Sequence, residues 1–376
     1  MSDIIKLFPR TYAQADKTFR SLAARYGDVW DYDIGDTGYK IPVLTIGHGP
    51  HRFVINTGTH GIEGYMGSTI ISKLLSECRD FLGVVSNSSR VQMVFIHSIN
   101  AFGMDHFIRA TKNNVDLNRN FIIDRKKFPP PQSPIPKQHH DLLTSEPGPK
   151  KDRQVRQLLA SAPVSTIPGG KSLSALLIGG QYEYPGGMFF GGYEPEPENL
   201  VVAKIYDNIA DGAESIVSIG IHTGAGNQAQ VQLLVSHPKD DTRTLKFGQM
   251  FPEKLGLNVT PCSDVYVPLP GDLVDYLEKY TSMGIPTFTA DLEFGTNGDL
   301  LSRVIAFGDA VWDMSSPARR LSIRTKKKML ASYYPTGDEW RQSAMRQGTK
   351  FINAWNSYIA AIANIKYMPL EITRSI

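Results

Sequence analysis

Residues 56–68 read NTGTHGIEGYMGS and follow the short apolar run FVI at 53–55. The apolar run predicts a buried β-strand at 52–56, and the glycines after it let the chain turn sharply as it leaves the sheet. This turn carries two potential metal ligands, His60 and Glu63, three positions apart. In open α/β sheets the loops beyond the carboxyl ends of the strands meet in a single crevice. The stretch therefore predicts an α/β fold with a site at the end of this strand.

The rest of the chain alternates short apolar runs with segments of helical periodicity, which is typical of an α/β protein with a largely buried sheet. We predict a mixed, mostly parallel central sheet flanked by helices on both faces. No repeat or linker divides the chain, so we expect residues 1–376 to form a single domain. The predicted strands are 41–46, 52–56, 91–96, 215–221, 230–235 and 286–293. The predicted helices are 11–26, 66–78, 141–161, 198–213, 242–255, 272–283 and 339–364, the last with a core-facing stripe of Trp340, Ala344, Phe351, Trp355, Tyr358 and Ile359.

The composition is that of an ordinary globular chain, with 41% hydrophobic residues, 20% charged residues and a net charge of +3. The 40 basic residues nearly balance the 37 acidic ones, so charge gives no indication of a nucleic-acid or membrane partner. The two cysteines, Cys78 and Cys262, are too few for a disulfide framework and lack the spacing of a cysteine zinc site. The N-terminus has no apolar signal region, and we expect a cytoplasmic protein.

Two segments depart from the alternating pattern. Residues 124–141, DRKKFPPPQSPIPKQHHD, contain five prolines and predict a loop insertion, because proline is excluded from helix interiors and central strands. Its adjacent histidines, His139 and His140, are expected to be solvated and not to bind metal. Residues 179–199, GGQYEYPGGMFFGGYEPEPEN, interleave aromatic residues with glycines. Such a segment either lines a pocket or forms β-turns that cover sheet edges, and the pattern is compatible with both.

A second histidine, His222, follows the predicted strand at 215–221 in the motif GIHTGAG. Together with His60 and Glu63 it supplies two imidazoles and one carboxylate, which is the ligand set of a catalytic zinc with an open fourth position. The spacing of His60 and Glu63 alone is also that of a capped turn with a surface glutamate. The ligand set equally suits cobalt, manganese or iron.

The motif RATKNNVDLNRNF at 109–121 adds the context that decides between these alternatives. With TYAQADKTFRSLAARYG, GTHGIEGYMGS, GGQYEYPGGMFFGG, GIHTGAG and DLEFGT in the same order, the chain resembles the zinc carboxypeptidases of the M14 (funnelin) superfamily. It is most similar to their DUF2817 branch, and the resemblance covers nearly the whole chain. A carboxypeptidase-like fold is therefore expected.

The resemblance implies that His60, Glu63 and His222 hold one zinc ion per chain. Glu293, in DLEFGT, matches the family's catalytic glutamate, which takes a proton from water and passes it to the leaving amine. Arg109 matches the arginine that stabilises the developing oxyanion.

The same resemblance implies a substrate-binding pair and a mobile tyrosine. Asn118 and Arg119 match the residues that bind the terminal carboxylate of the substrate, for which a planar guanidinium is well suited. The tyrosine that closes over the substrate is predicted to be Tyr266, with Tyr276 and Tyr280 as competitors. Asp116 and Asn120 are expected to hold the loop backbone in place.

The predicted function is that of a zinc metallopeptidase, a hydrolase that cleaves an amide or peptide bond next to a free C-terminal carboxylate. The nearest alternative uses the same site on N-acyl amino acids, as in the aspartoacylase and succinylglutamate desuccinylase enzymes. A non-catalytic ligand-binding module is the alternative of another class. The expected partner is a small peptide or acyl amino acid, with no nucleic acid and no membrane. Oligomeric state and side-chain preference are not readable from the sequence.

Overall fold

A computed structural model of the chain describes residues 7–124, 133, 135–161, 173–228, 230–252, 257–264, 270–296 and 299–372. Within these residues an eight-stranded mixed sheet forms the centre, in the order β1-β2-β4-β3-β5-β8-β6-β7. The strands are β1 Val29–Asp33, β2 Lys40–Gly47, β3 His51–Thr57, β4 Val91–Ile96, β5 Ser215–Gly224, β6 Val231–Val235, β7 Asn258–Pro261 and β8 Thr287–Gly295. All six predicted strands are present, and the mixed α/β fold is confirmed.

The four central strands run parallel, whereas β2 and β6 pair antiparallel with β4 and β8. From β3 the chain crosses to β4 on one side, and it later returns to β5 on the other side of β3. This reversal leaves a crevice between the carboxyl ends of β3 and β5, where open α/β sheets bind their ligands. The topology therefore places the loop at 58–63 beside the end of β5.

Helices cover both faces of the sheet because successive side chains of a strand point to opposite faces. In β3, Phe53 and Ile55 pack into one core while Val54 packs into the other. The α-helices are Tyr12–Ala23, Gly64–Glu77, Arg79–Ser86, Ala101–His106, Lys137–Leu143, Pro149–Ser161, Leu173–Ile178, Pro197–Ala210, Thr242–Met250, Leu273–Ser282, Leu300–Ser315, Ile323–Tyr333 and Asp338–Ala363. Short 3-10 helices span Gly35–Thr37, Gly61–Glu63, Leu117–Arg119 and Cys262–Asp264.

The C-terminal helix Asp338–Ala363 packs its predicted stripe into the larger core. Trp340, Phe351 and Trp355 are at most 1% exposed, whereas Tyr358 is only partly buried. The spacing of three and four residues therefore predicts the buried face of this helix correctly.

Some predictions differ from the structure. The proline-rich segment 124–141 is not a loop throughout, since its last five residues belong to the helix Lys137–Leu143. That helix begins directly after Pro136. Proline is tolerated at the start of a helix because the first backbone N–H groups there have no partner within the helix. The predicted helix 141–161 is two helices, because the backbone turns between Leu143 and Pro149.

Two edge strands and several helices were not predicted. β1 is largely exposed, so it lacks the apolar run that marks a buried strand. The helices Leu300–Ser315 and Ile323–Tyr333 were also missed, and both contribute to the site described below. No helix in the described ranges is both long and apolar enough to span a membrane.

Candidate metal centre and active site

The loop that follows β3 is fixed by close packing. Gly58 has φ of +78°, a conformation that residues with a Cβ atom rarely adopt. A Cβ atom at Gly61 would lie 2.2 Å from the carbonyl carbon of Gly103, so the backbone of this turn lies directly against a neighbouring helix. The residues between the glycines are consequently held in place, and His60 and Glu63 are both buried.

The three predicted ligands converge. The Nδ1 atoms of His60 and His222 are 3.1 Å apart, and His222 Nδ1 lies 3.0 Å from Glu63 Oε2. His60 Nδ1 lies 3.3 Å from Glu63 Oε1. For zinc bonds of about 2.0–2.2 Å, ligand atoms at the corners of a tetrahedron are separated by roughly 3.3–3.6 Å. One ligand atom from each residue lies within 4.8 Å of the others, so the two nitrogens and the carboxylate are close enough to share one zinc ion, the metal that the sequence predicts.

Two aspartates orient the histidine ligands. Asp116 Oδ1 lies 3.2 Å from His60 Nε2, and Asp291 Oδ1 lies 3.4 Å from His222 Nε2. For His222, the carboxylate at Nε2 favours the tautomer in which Nε2 carries the proton and Nδ1 keeps its lone pair for a metal. Asp116 also accepts from the backbone N–H of Asn118 at 3.0 Å, in agreement with its predicted role in holding the loop.

Arg109 lies at the same group of residues. Its Nη1 donates to Glu63 Oε1 at 2.6 Å, its Nε donates to Asp116 Oδ2 at 3.2 Å, and its Nη2 lies 2.7 Å from His60 Nε2. Burial alone would raise the pKa of Glu63, but the charges of His60 and Arg109 outweigh it and hold that pKa well below its usual range. Glu63 is consequently ionised, as a metal ligand must be.

Glu293 lies on β8, directly opposite His222 of β5 in the parallel register. Its Oε1 accepts a hydrogen bond from the backbone N–H of Ala225 at 2.7 Å. Burial, followed by the negative charge of Glu63, raises the pKa of Glu293 to about 7. A buried carboxylate with a pKa near neutrality is suited to accept and return a proton.

Asn118 and Arg119 reach the site from the 3-10 helix Leu117–Arg119. The Arg119 guanidinium donates to the carbonyl oxygen of Ile178 at 2.6 Å through Nη2 and to that of Asn118 at 2.7 Å through Nη1. Tyr182 donates from its hydroxyl group to the Arg119 carbonyl at 2.6 Å. These contacts fix the cation at the wall of the cavity.

A cavity of about 330 Å³ lies among these groups. Its lining includes seven predicted site residues, namely His60, Glu63, Arg109, Asn118, Arg119, His222 and Glu293. Phe189 also lines it, and the Arg109 guanidinium carbon lies 5.7 Å from the centre of its ring. Of the two interpretations of residues 179–199, the structure therefore favours a pocket wall.

The predicted tyrosine, Tyr266, lies outside the described residues. Its competitors lie elsewhere: the Tyr280 hydroxyl donates to Asp207 at 2.6 Å, and the Tyr276 ring packs against Phe121. The prediction that His140 is solvated is wrong, because His140 is 2% exposed and packs against the ring of Tyr184; it does not join the group of His60, Glu63 and His222.

Two residues that the sequence did not single out also line the cavity. Tyr333 ends the helix Ile323–Tyr333, and its ring packs near Gly224. Arg303, in the helix Leu300–Ser315, donates to the Gly224 carbonyl oxygen. No local motif marks either residue, since only the packing of two helices on the carboxyl ends of β5 and β8 brings them to the site.

Comparison with known structures supports the fold. The crystal structure of thrombin activatable fibrinolysis inhibitor superposes with a TM-score of 0.53 at 12% sequence identity, over 97% of this chain and 83% of that chain. Carboxypeptidase A from Helicoverpa armigera gives a TM-score of 0.48 at 14% identity, over 86% and 73% of the two chains. Murein-tripeptide amidase MpaA from Escherichia coli O157 gives 0.40 at 14% identity, over 78% and 94%. Of these three, the first exceeds a TM-score of 0.5 and carries the comparison of folds.

The chain therefore shares its α/β fold with the thrombin activatable fibrinolysis inhibitor, and it carries a buried His-Glu-His group that could hold a metal ion. The model of the family described as "Protein of unknown function (DUF2817)" matches residues 8–347. The chain belongs to this family. No curated protein matches it.

Proposed function

We propose that the protein is a zinc-dependent hydrolase that cleaves an amide bond next to a free carboxylate. The observation that carries this proposal is the convergence of two buried imidazole nitrogens, 3.1 Å apart, on the Glu63 carboxylate, whose oxygens lie 3.0 and 3.3 Å from them, beside the proton acceptor Glu293. A small peptide is the simplest substrate, because a cavity of about 330 Å³ accommodates one residue and part of its neighbour.

Zinc held by His60, Glu63 and His222 would supply a Lewis acid for the scissile carbonyl and would acidify a water molecule. Glu293 would take the proton of that water and return it to the leaving nitrogen, which its raised pKa favours. Its hydrogen bond from the Ala225 N–H holds the carboxylate at the cavity wall throughout.

Arg109 would stabilise the negative charge that develops on the carbonyl oxygen. Its charge is fixed beside Glu63 and Asp116 and needs no reorganisation as the reaction proceeds. Asn118 and Arg119, which also line the cavity, would bind the terminal carboxylate of the substrate. The assignment of Tyr266 as the residue that closes over the substrate stays a prediction.

Metal analysis and a substrate panel test the proposal together. The purified chain is expected to contain about one zinc ion, the usual content of a site with three ligands and an open position. The panel contains dipeptides, N-acyl amino acids and murein peptides, each with a matched compound whose terminal carboxylate is an amide.

The outcomes of this panel separate the alternatives. Hydrolysis of peptides that is lost when the carboxylate is amidated supports the carboxypeptidase proposal. Hydrolysis confined to N-acyl amino acids would replace it with the acylase alternative. Zinc binding without turnover of any compound would favour a ligand-binding module.

A further inference from the structure

A second cavity, of about 310 Å³, lies beside the catalytic cavity and shares no lining residue with it. It is formed by the segments 108–114 and 185–186, one face of the helix Leu300–Ser315, and Arg319. Its volume is at the lower end of the range of small-molecule sites, which combine an apolar wall with a few polar groups. The proposed hydrolase function gives this second cavity no role.

The wall of the second cavity is apolar. The helix contributes residues at intervals of three and four, which share one helical face: Phe307, Ala310, Val311 and Met314. The first three of these are at most 7% exposed, as are Ile108 and Ala110 from the segment that faces them. The wall is therefore suited to the apolar part of a ligand.

One layer of side chains divides the two cavities. Ile108 and Ala110 line the second cavity, whereas Arg109 between them lines the catalytic cavity. Phe307 of the second cavity packs edge-on against Phe189 of the catalytic cavity, with ring centroids 5.1 Å apart. A ligand in the second cavity would therefore occupy a site separate from the metal ligands.

Two cations, Lys112 and Arg319, stand at the mouth of the second cavity, where their side chains are exposed. Across the described residues neither side chain forms an ion pair or a hydrogen bond, and none of the residues that line the cavity is acidic. Glu196 contacts the same loop, but it does not line the cavity and its oxygens accept from Thr111 and Asn113. An anion at the mouth would thus meet two unpaired positive charges.

The end of the helix Leu300–Ser315 leaves the Arg319 guanidinium available. Cations are attracted to the carbonyl oxygens at the C-terminus of a helix. Here Ser315 Oγ donates to the carbonyl oxygen of Trp312 at 2.7 Å. Ser316 Oγ donates to that of Asp313, also at 2.7 Å. Two of these oxygens therefore have donors without Arg319.

The loop at the mouth favours a carboxylate over a phosphate. The backbone N–H of Asn113 donates to Thr111 Oγ1 at 3.3 Å, and that of Asn114 donates to the Thr111 carbonyl oxygen at 3.0 Å. Phosphate sites commonly use several free backbone N–H groups, and these two are engaged within the loop. Recognition by two side-chain cations suits the two oxygens of a carboxylate.

We propose that the second cavity binds a small carboxylate with an apolar body. The body would lie against the Phe307 face of the helix, and the carboxylate would bind to Lys112 and Arg319. This inference goes beyond the proposed hydrolase function and does not depend on it, because no residue of the metal group lines the second cavity.

Octanoate is the probe, and octanamide is its neutral control of equal length. Dissociation constants are measured by isothermal titration calorimetry on the full chain as purified. Octanoate is expected to bind about tenfold more tightly than octanamide, because charge-assisted hydrogen bonds form only with the carboxylate. Equal affinities would overturn the assignment of an anion. Tighter binding of octyl phosphate than of octanoate would overturn the assignment of a carboxylate.

Charge-removing variants locate the binding site. Lys112→Gln and Arg319→Gln should each weaken octanoate binding about fivefold and leave octanamide binding unchanged, because each removes one exposed cation. Arg320→Gln is the matched control: Arg320 is exposed, follows Arg319 in the chain and does not line the cavity. Equal weakening by Arg319→Gln and Arg320→Gln would show a general attraction of anions and contradict the site.

The His60→Ala variant separates this inference from the proposed function. Its affinity for octanoate should equal that of the unmodified chain, with thermal unfolding as the test that the variant is folded. Loss of octanoate binding in folded His60→Ala would place the carboxylate in the catalytic cavity and overturn the inference. If the unmodified chain hydrolyses no compound of the substrate panel, the hydrolase proposal fails, while octanoate binding that depends on Lys112 and Arg319 still supports the second site.

Discussion

Replacing Gly220 with alanine is predicted to weaken zinc binding although Gly220 is not a ligand. A Cβ atom at this position of β5 would lie 2.5 Å from Asp291 Oδ1 and 3.2 Å from His222 Nε2. Ordinary carbon contacts require about 3.5 Å, so the carboxylate must move by about 1 Å. The His222–Asp291 contact is already 3.4 Å long, and this movement breaks it.

The size of the effect follows from the role of the carboxylate. Loss of a carboxylate that orients a histidine ligand lowers metal affinity about 10–100-fold, which corresponds to about 1.4–2.8 kcal/mol. The assay is competition for zinc between the protein and a fluorescent chelator at fixed pH, with thermal unfolding of the metal-free protein as the test of folding. Gly83→Ala is the matched control, because a Cβ atom at Gly83 meets no heavy atom within 4 Å.

A double-mutant cycle shows whether the contact itself is responsible. In an Asp291→Ala background the alanine at position 220 no longer meets the carboxylate, so its additional effect on zinc affinity should be small. Zinc affinity of Gly220→Ala within twofold of the unmodified chain would refute the reasoning. An equal loss in both backgrounds would show that the strand, and not the His222–Asp291 contact, is disturbed.

Three further outcomes are expected. Glu293→Gln should retain zinc while kcat falls about 10²–10⁴-fold, because only proton transfer is removed; loss of zinc in this variant would assign Glu293 to the metal instead. His60→Ala should lose both zinc and activity, and normal zinc content would contradict the ligand assignment. His97 is fully buried, its Nε2 lies 2.6 Å from Ser68 Oγ, and burial lowers its pKa to about 3. Because the unfolded chain takes up this proton below about pH 6.5 and the folded chain does not until about pH 3, stability should fall as the pH drops through this window. The free energy of unfolding is measured in urea at pH 7.5 and at pH 5.0. Between these pH values, His97→Gln should lose about 2 kcal/mol less of this free energy than the unmodified chain does. Equal losses in the two proteins would contradict a neutral buried His97.

The elements that could be predicted are those with a strong local pattern. β3, β4 and β5 are buried apolar runs, so their bounds lie within a few residues of those predicted. β7 is four residues long and only partly buried, and such edge strands carry no distinct periodicity. The start of the helix Lys137–Leu143 was predicted as loop because the segment before it is rich in proline. Those prolines precede the helix and do not interrupt it.

The sequence by itself determined where the proposed ligands and the proton acceptor stand, because His60, Glu63, His222 and Glu293 occur at or beyond the ends of strands that local hydrophobicity defines. Only the tertiary structure decided which other side chains share their cavity. Arg303 and Tyr333 come from two separate helices, and Asp272 directly precedes a third. Periodicity indicates which face of a helix is buried but not what that face meets. The reversal of strand order around β3 brings these helix ends together, and it depends on contacts between residues far apart in the chain.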